Sequence, residues 1–130
     1  MAIGFVGDIH GAIGVLLEIV KTASEFPDVK AIIQVGDFGV RNIKNVSPTK
    51  YSFPLPTYYI EGNHEYFEEY AGITEVTEVL PNLFFVPRGT VMEIDGRMVA
   101  FFGGAASIDK KYRLAQRLHW DERENITPEQ

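Results

Sequence analysis

The sequence predicts an α/β fold, a mixed sheet that begins with parallel strand-helix-strand units and continues into an antiparallel hairpin. Three observations carry this reading. Apolar runs rich in β-forming residues recur at Ile3-Gly4-Phe5-Val6-Gly7, Ala31-Ile32-Ile33-Gln34-Val35 and Thr57-Tyr58-Tyr59-Ile60. Between the first two, apolar residues fall at helical spacing. In the second half, Asp95-Gly96 separates two strand-like runs, a strong signal for a two-residue hairpin turn.

Taken in order, the first run leads into a helix over residues 12–25. Ile13, Leu16, Leu17, Val20 and Ala23 or Ser24 line one face, and Glu18, Lys21 and Glu25 the other. Pro27-Asp28 ends it, and the nearly continuous apolar run at 31–35 reads as a strand covered on both faces. Strand, helix, strand implies a right-handed parallel crossover. Residues 41–56 carry three prolines and mixed polarity, which predicts a loop or one short helix. After the strand at 57–60, the Glu-rich segment from Tyr66 to Val79 has weak helical character. From Asn82, the runs 83–86, 90–94 and 97–102 read as antiparallel strands joining the sheet, with Gly103-Gly104-Ala105-Ala106-Ser107 at the last exit.

Three polar clusters sit where the first three strands stop: Asp8-Ile9-His10-Gly11, Gly36-Asp37 and Gly62-Asn63-His64-Glu65. In open α/β sheets the ligand crevice lies beyond the carboxyl ends of the strands, so these clusters converge on one surface. Residues two apart at a strand end point to the same side, which turns Asp8 and His10 toward one ion. Carboxylate with imidazole suits Mn²⁺, Fe, Zn²⁺, Co²⁺ or Ni²⁺ better than Ca²⁺. Asp37, from the neighbouring strand, is placed to bridge two ions, and Asn63 adds an oxygen ligand without further charge. His64, adjacent on the turn, is suited to face substrate as proton donor to a leaving alkoxide or hydrogen-bond donor to developing charge. Gly7, Gly11, Gly36 and Gly62 permit the tight turns and close approaches such a cluster needs.

Composition narrows the chemistry. The 130 residues carry a net charge of −6, which argues against an extended nucleic-acid surface but leaves a small anionic substrate open. A bound divalent ion outweighs that average locally. The absence of cysteine excludes disulfides, thiolate metal sites and cysteine nucleophiles. Met1-Ala2-Ile3-Gly4-Phe5 lacks a basic leader, and no apolar stretch approaches the ~18 residues of a membrane span, so the expectation is a cytoplasmic protein without a membrane partner. Lys110, Lys111, Arg113 and Arg117 are placed either to steer phosphate or as a solvated helix face. Tyr66, Phe67 and Tyr70 are candidates to stack a nucleobase or to pack on the sheet.

These motifs resemble the first three of the calcineurin-like metallophosphoesterases: Asp8-x-His10-Gly11, Gly36-Asp37 and Gly62-Asn63-His64-Glu65, with similar spacing and a glycine-rich exit at Gly103-Gly104. The resemblance covers most of the chain and implies a four-layer sandwich. It implies two divalent ions, Mn²⁺ foremost, with Asp8, His10 and Asp37 on the first and Asp37 and Asn63 on the second. Asn63 and His64 would contact substrate, and His64 would assist catalysis. The implied reaction is hydrolysis of a phosphomonoester or phosphodiester, a small phosphate ester or nucleotide-like molecule, by metal-bound hydroxide.

The family adds a later His and a Gly-His-x-His motif, whereas this sequence holds only His10, His64 and His119. His119, in Leu118-His119-Trp120-Asp121, reads as a surface residue. Thr127-Pro128-Glu129-Gln130 reads as a helix start, Thr as N-cap and Pro at the first helical position. The expectation is therefore one phosphoesterase-like domain over residues 1–130, truncated at its C-terminus, with activity impaired or absent in this form. The alternatives are a non-catalytic binding or scaffold module, and an oligomer in which another chain supplies imidazoles.

Overall fold

In the computed structural model, which describes residues 1–105, 110–116 and 121–125, the first half follows the expected order. Strand β1 (Ala2–Val6) is followed by helix α1 (Ile13–Ser24), strand β2 (Val29–Gln34), a 3₁₀ turn (Ile43–Asn45) and strand β3 (Thr57–Tyr59). β1 pairs parallel with β2, and β2 with β3, so the three polar clusters leave the sheet at the same end. The Glu-rich segment then forms a 3₁₀ turn (Phe67–Glu69) and strand β4 (Thr77–Leu80), followed by β5 (Leu83–Phe85), β6 (Thr90–Ile94), β7 (Arg97–Phe101) and helix α2 (Lys110–Ala115).

The main sheet has the order β1-β2-β3-β5-β4. Two expectations for the second half need correction. The run at 83–86 does not begin an antiparallel meander: β5 lies parallel to β3, with Thr57 opposite Leu83 and Tyr59 opposite Phe85. Its antiparallel partner is β4, in the segment read as weakly helical. Glutamates suggested a helix there, but Val76, Thr77 and Val79 favour extended backbone. Asn82, at φ 66°, makes the reversal between the two strands. The charged side chains suit β4 to the sheet edge, where they discourage pairing with another chain.

The hairpin forms as expected, but as a separate two-stranded ribbon. Asp95 and Gly96 both have positive φ, 49° and 77°, as a type I′ turn requires.

Strand alternation divides the core between the two faces of the sheet. On one face, Ile13, Leu16, Leu17 and Val20 of α1 pack with Ile32, Phe38, Tyr59, Leu83 and Phe85. On the other, Ala31, Ile33 and Val86 pack against Ile94 and Phe101 of the ribbon. Helix, sheet and ribbon are three layers of the expected four. The ribbon's outer side, with Val91 and Met98, is exposed among the described residues. No helix among them is long and apolar enough to cross a membrane.

Candidate metal centre

The loops leaving β1 and β2 are zipped together by their backbones. His10 donates its N–H to the Asp37 carbonyl at 2.9 Å, and Gly11 donates to the Phe38 carbonyl at 2.8 Å. His10 and Asp37 hold positive φ, 44° and 48°, a conformation uncommon for residues with a Cβ. Both are residues with which the sequence reading built its site.

Asp8, His10 and Asp37 each offer a ligand atom, and all three atoms lie within 4.8 Å of one another. His10 Nε2 is 3.5 Å from Asp8 Oδ2 and 3.9 Å from Asp37 Oδ2. Donors bonded at ~2.1 Å to a common ion sit ~3–3.5 Å apart, so small movements of two exposed side chains close this set around a cation. Two carboxylates and one imidazole fit a divalent transition ion. Asp37 is buried, whereas the side chains of Asp8 and His10 are 58% and 57% exposed, so the cluster opens on the β1 side.

The third loop is packed onto the second at a distance only glycine allows. A Cβ on Gly62 would lie 2.1 Å from Asp37 Oδ1 and 2.3 Å from the Asp37 nitrogen. Asn63 therefore belongs to a loop that touches Asp37, between Gly62 and a His64 whose N–H donates to Asp37 Oδ1 at 2.9 Å. The His64 ring stands beside His10, centroids 5.7 Å apart, and both line a cavity of about 760 Å³. Gly7 does not share the tight packing of Gly11, Gly36 and Gly62, since a Cβ there would meet nothing within 4 Å.

Two residues without an assigned role in the sequence reading hold this arrangement. Glu65, only 7% exposed, accepts backbone N–H groups from Phe38 at 2.6 Å, Gly39 at 2.9 Å and Gly62 at 3.1 Å. Burial pushes its carboxyl up to about 7, against the opposing pull of the Gly39, Gly62 and Phe38 N–H groups, and the nearby Asp37 charge adds to the rise. Gln34, fully buried at the end of β2, donates from Nε2 to the Gly7 carbonyl at 3.0 Å and to the Gly36 carbonyl, and accepts the Gly36 N–H at 3.2 Å. A polar residue inside an apolar run, two residues before the glycine of a turn, was the available signal for it.

The other sequence candidates separate cleanly. Phe67 and Tyr70 are buried, 4% and 5% exposed, and Tyr70 stacks on Phe85 at 4.3 Å, so both pack rather than bind. Tyr66 is 46% exposed and lines the cavity. Arg113 is buried and forms two hydrogen bonds with Glu124, at 3.0 and 2.8 Å, which commits it to structure rather than phosphate steering. Lys111 is exposed and Lys110 half-buried. Arg117, His119 and Thr127-Pro128-Glu129-Gln130 lie outside the described residues.

Comparison with known proteins follows the same line. The family model for calcineurin-like phosphoesterases matches residues 1–128. No curated protein matches the chain.

Proposed function

The chain belongs to the calcineurin-like phosphoesterase family, and on that premise we propose that it is a divalent-metal-dependent hydrolase of small phosphate esters. The observation that carries this reading is the meeting of Asp8 and His10, from the end of β1, with Asp37, from the end of the parallel strand β2, beside a cavity that His64 also lines. Asp8, His10, Asp37 and Asn63 would hold the metal, with Mn²⁺ the first ion to test. Two such ions supply charge neutralisation for a phosphoryl group and lower the pKa of water.

The chain's own residues then have separable roles. Asp37, with one oxygen held by the His64 N–H and the other facing His10, is suited to the position between two ions. His64, exposed on the cavity side of the cluster, is placed to hydrogen-bond a phosphoryl oxygen or to protonate the leaving alkoxide. Asn63 would share contact with the substrate. Glu65 and Gln34 orient the loops through their hydrogen bonds to backbone groups.

Hydrolysis of bis-p-nitrophenyl phosphate and p-nitrophenyl phosphate by the chain, with and without Mn²⁺, tests this. Mn²⁺-dependent release of nitrophenol that Asp37→Ala abolishes is the expected result, and the two substrates separate diesterase from monoesterase. Failure to bind Mn²⁺ at all sinks the reading.

A second reading, a non-catalytic phosphoesterase-like binding module, is favoured by the one-sidedness of the cluster, whose Asp8 and His10 side chains are more than half exposed. Mn²⁺ binding without turnover of either ester would select it.

A further inference from the structure

The cavity beside the metal cluster continues past His64 to a surface assembled from two loops. Its lining includes Arg41, Tyr66 and Arg123 as well as His10 and His64. At about 760 Å³ it is within the size range of small-molecule sites, larger than a phosphoryl group needs.

Two carboxylates fix this surface. Glu65 binds the backbone of Phe38 and Gly39, while Glu69 accepts the N–H of Asn42 and, at 3.1 Å, that of Ile43. The loop that carries Arg41 is therefore tied at both ends to the segment that carries Tyr66. The Arg41 guanidinium lies over the Tyr66 ring, 6.0 Å from its centroid, at the outer limit of a cation–π contact. Arg41 has no carboxylate partner among the described residues. Arg123, by contrast, is engaged by Asp121, at 2.8 Å from Nε, and by Glu68 at 2.6 Å.

The neighbouring aromatics are consumed by packing. Phe67 is buried beneath Arg123 and Arg88, 5.6 and 6.0 Å from its ring, and Tyr59 and Tyr70 share a hydrogen bond inside the core. Tyr66 keeps its ring at the surface of the cavity, two residues beyond His64. An exposed aromatic ring backed by a guanidinium has little to gain in water, whereas a planar ligand stacks on either group.

We infer that Tyr66, backed by Arg41, sets specificity by stacking on a planar ring in the ester's leaving group, so that the site selects nucleoside phosphates over aliphatic ones. This rests on the phosphoesterase reading of the adjoining metal cluster, and it adds the substrate class and the residue that recognises it. Tyr66 touches the leaving group, not the reacting phosphorus, so its effect falls on KM more than on kcat.

The test compares adenosine 5′-monophosphate with ribose 5-phosphate, which share a primary alkoxide leaving group and differ only by the base. With Mn²⁺ present, phosphate release should favour the nucleotide in kcat/KM by about tenfold to a hundredfold, the worth of one stacked base. Tyr66→Ala should bring that ratio to about one, Tyr66→Phe should keep it, and Arg41→Ala should lower it part of the way. Mn²⁺ titration of each variant reports that it has folded. A wild-type ratio near one, or a ratio that survives Tyr66→Ala, overturns the inference while leaving the phosphoesterase reading intact. If neither monoester is hydrolysed, the bis-p-nitrophenyl phosphate assay decides the phosphoesterase reading, and titration with adenosine alone decides the stacking surface. Adenosine bound by wild type but not by Tyr66→Ala upholds it, and no adenosine binding overturns it.

Discussion

His64 donates its backbone N–H to Asp37 Oδ1 at 2.9 Å, so the third polar cluster holds the carboxylate of the second. The bond joins residues 27 apart in sequence and leaves Asp37 Oδ2 directed toward His10 Nε2. Asp37 thus reaches the cluster with its rotamer already chosen, which lowers the entropy lost when an ion is bound.

This close approach makes Gly62 the most sensitive glycine of the site. In Gly62→Ala the new Cβ, 2.1 Å from Asp37 Oδ1, must push the carboxylate out of place. We expect a loss of about 1–3 kcal/mol in urea unfolding and a Mn²⁺ affinity at least about tenfold weaker by titration calorimetry. Gly7→Ala, into open space at ordinary φ, is the matched control and should change neither.

Glu65 should matter to stability through the groups it satisfies. Glu65→Ala leaves the N–H groups of Phe38, Gly39 and Gly62 without their acceptor, and an unpaired buried donor costs about 1–3 kcal/mol. Glu65→Gln keeps one carbonyl oxygen and should recover part of the loss. Equal unfolding midpoints for Ala and wild type would show that the carboxylate holds nothing.

The same carboxyl sets a pH dependence in the metal-free protein. Its folded pKa, raised to about 7, exceeds the ordinary 4.5, so the native state binds the proton more tightly than the unfolded chain. That contribution is complete below about 4.5 and disappears as pH rises through about 7, worth about 3 kcal/mol at ~1.4 kcal/mol per unit. In EDTA, the urea midpoint of wild type should fall across this window, and the Glu65→Gln midpoint should fall less. A wild-type midpoint that instead rises with pH contradicts the assignment.

Divalent ion should stabilise the fold by mass action. Mn²⁺ at a hundredfold excess over its Kd should add about 2.7 kcal/mol to unfolding, and EDTA should remove it. Asp8→Asn and Asp37→Ala should each reduce the gain, Asp37→Ala the more, because the buried carboxylate is the one already oriented. A thermal midpoint insensitive to Mn²⁺ would mean that the three side chains meet without binding.

The sequence by itself determined the parts whose physics is local. Alternating and periodic apolar residues specified β1, α1 and β2, because a strand or a helix buries one recurrent set of positions whatever it packs against. Asp95-Gly96 specified a type I′ turn from the φ values it tolerates, and the candidates Asp8, His10 and Asp37 followed from polar residues at strand ends. Tertiary structure decided what depends on contacts between distant segments. Residues 77–80 became a strand because β5 offered an edge to pair with, overriding a weak helical preference. Glu65 and Gln34 acquired their roles because parallel register set three glycine loops side by side. Tyr66 remained exposed while Phe67 and Tyr70 were buried, a difference that three neighbouring aromatic residues cannot encode without the surface on which they fold.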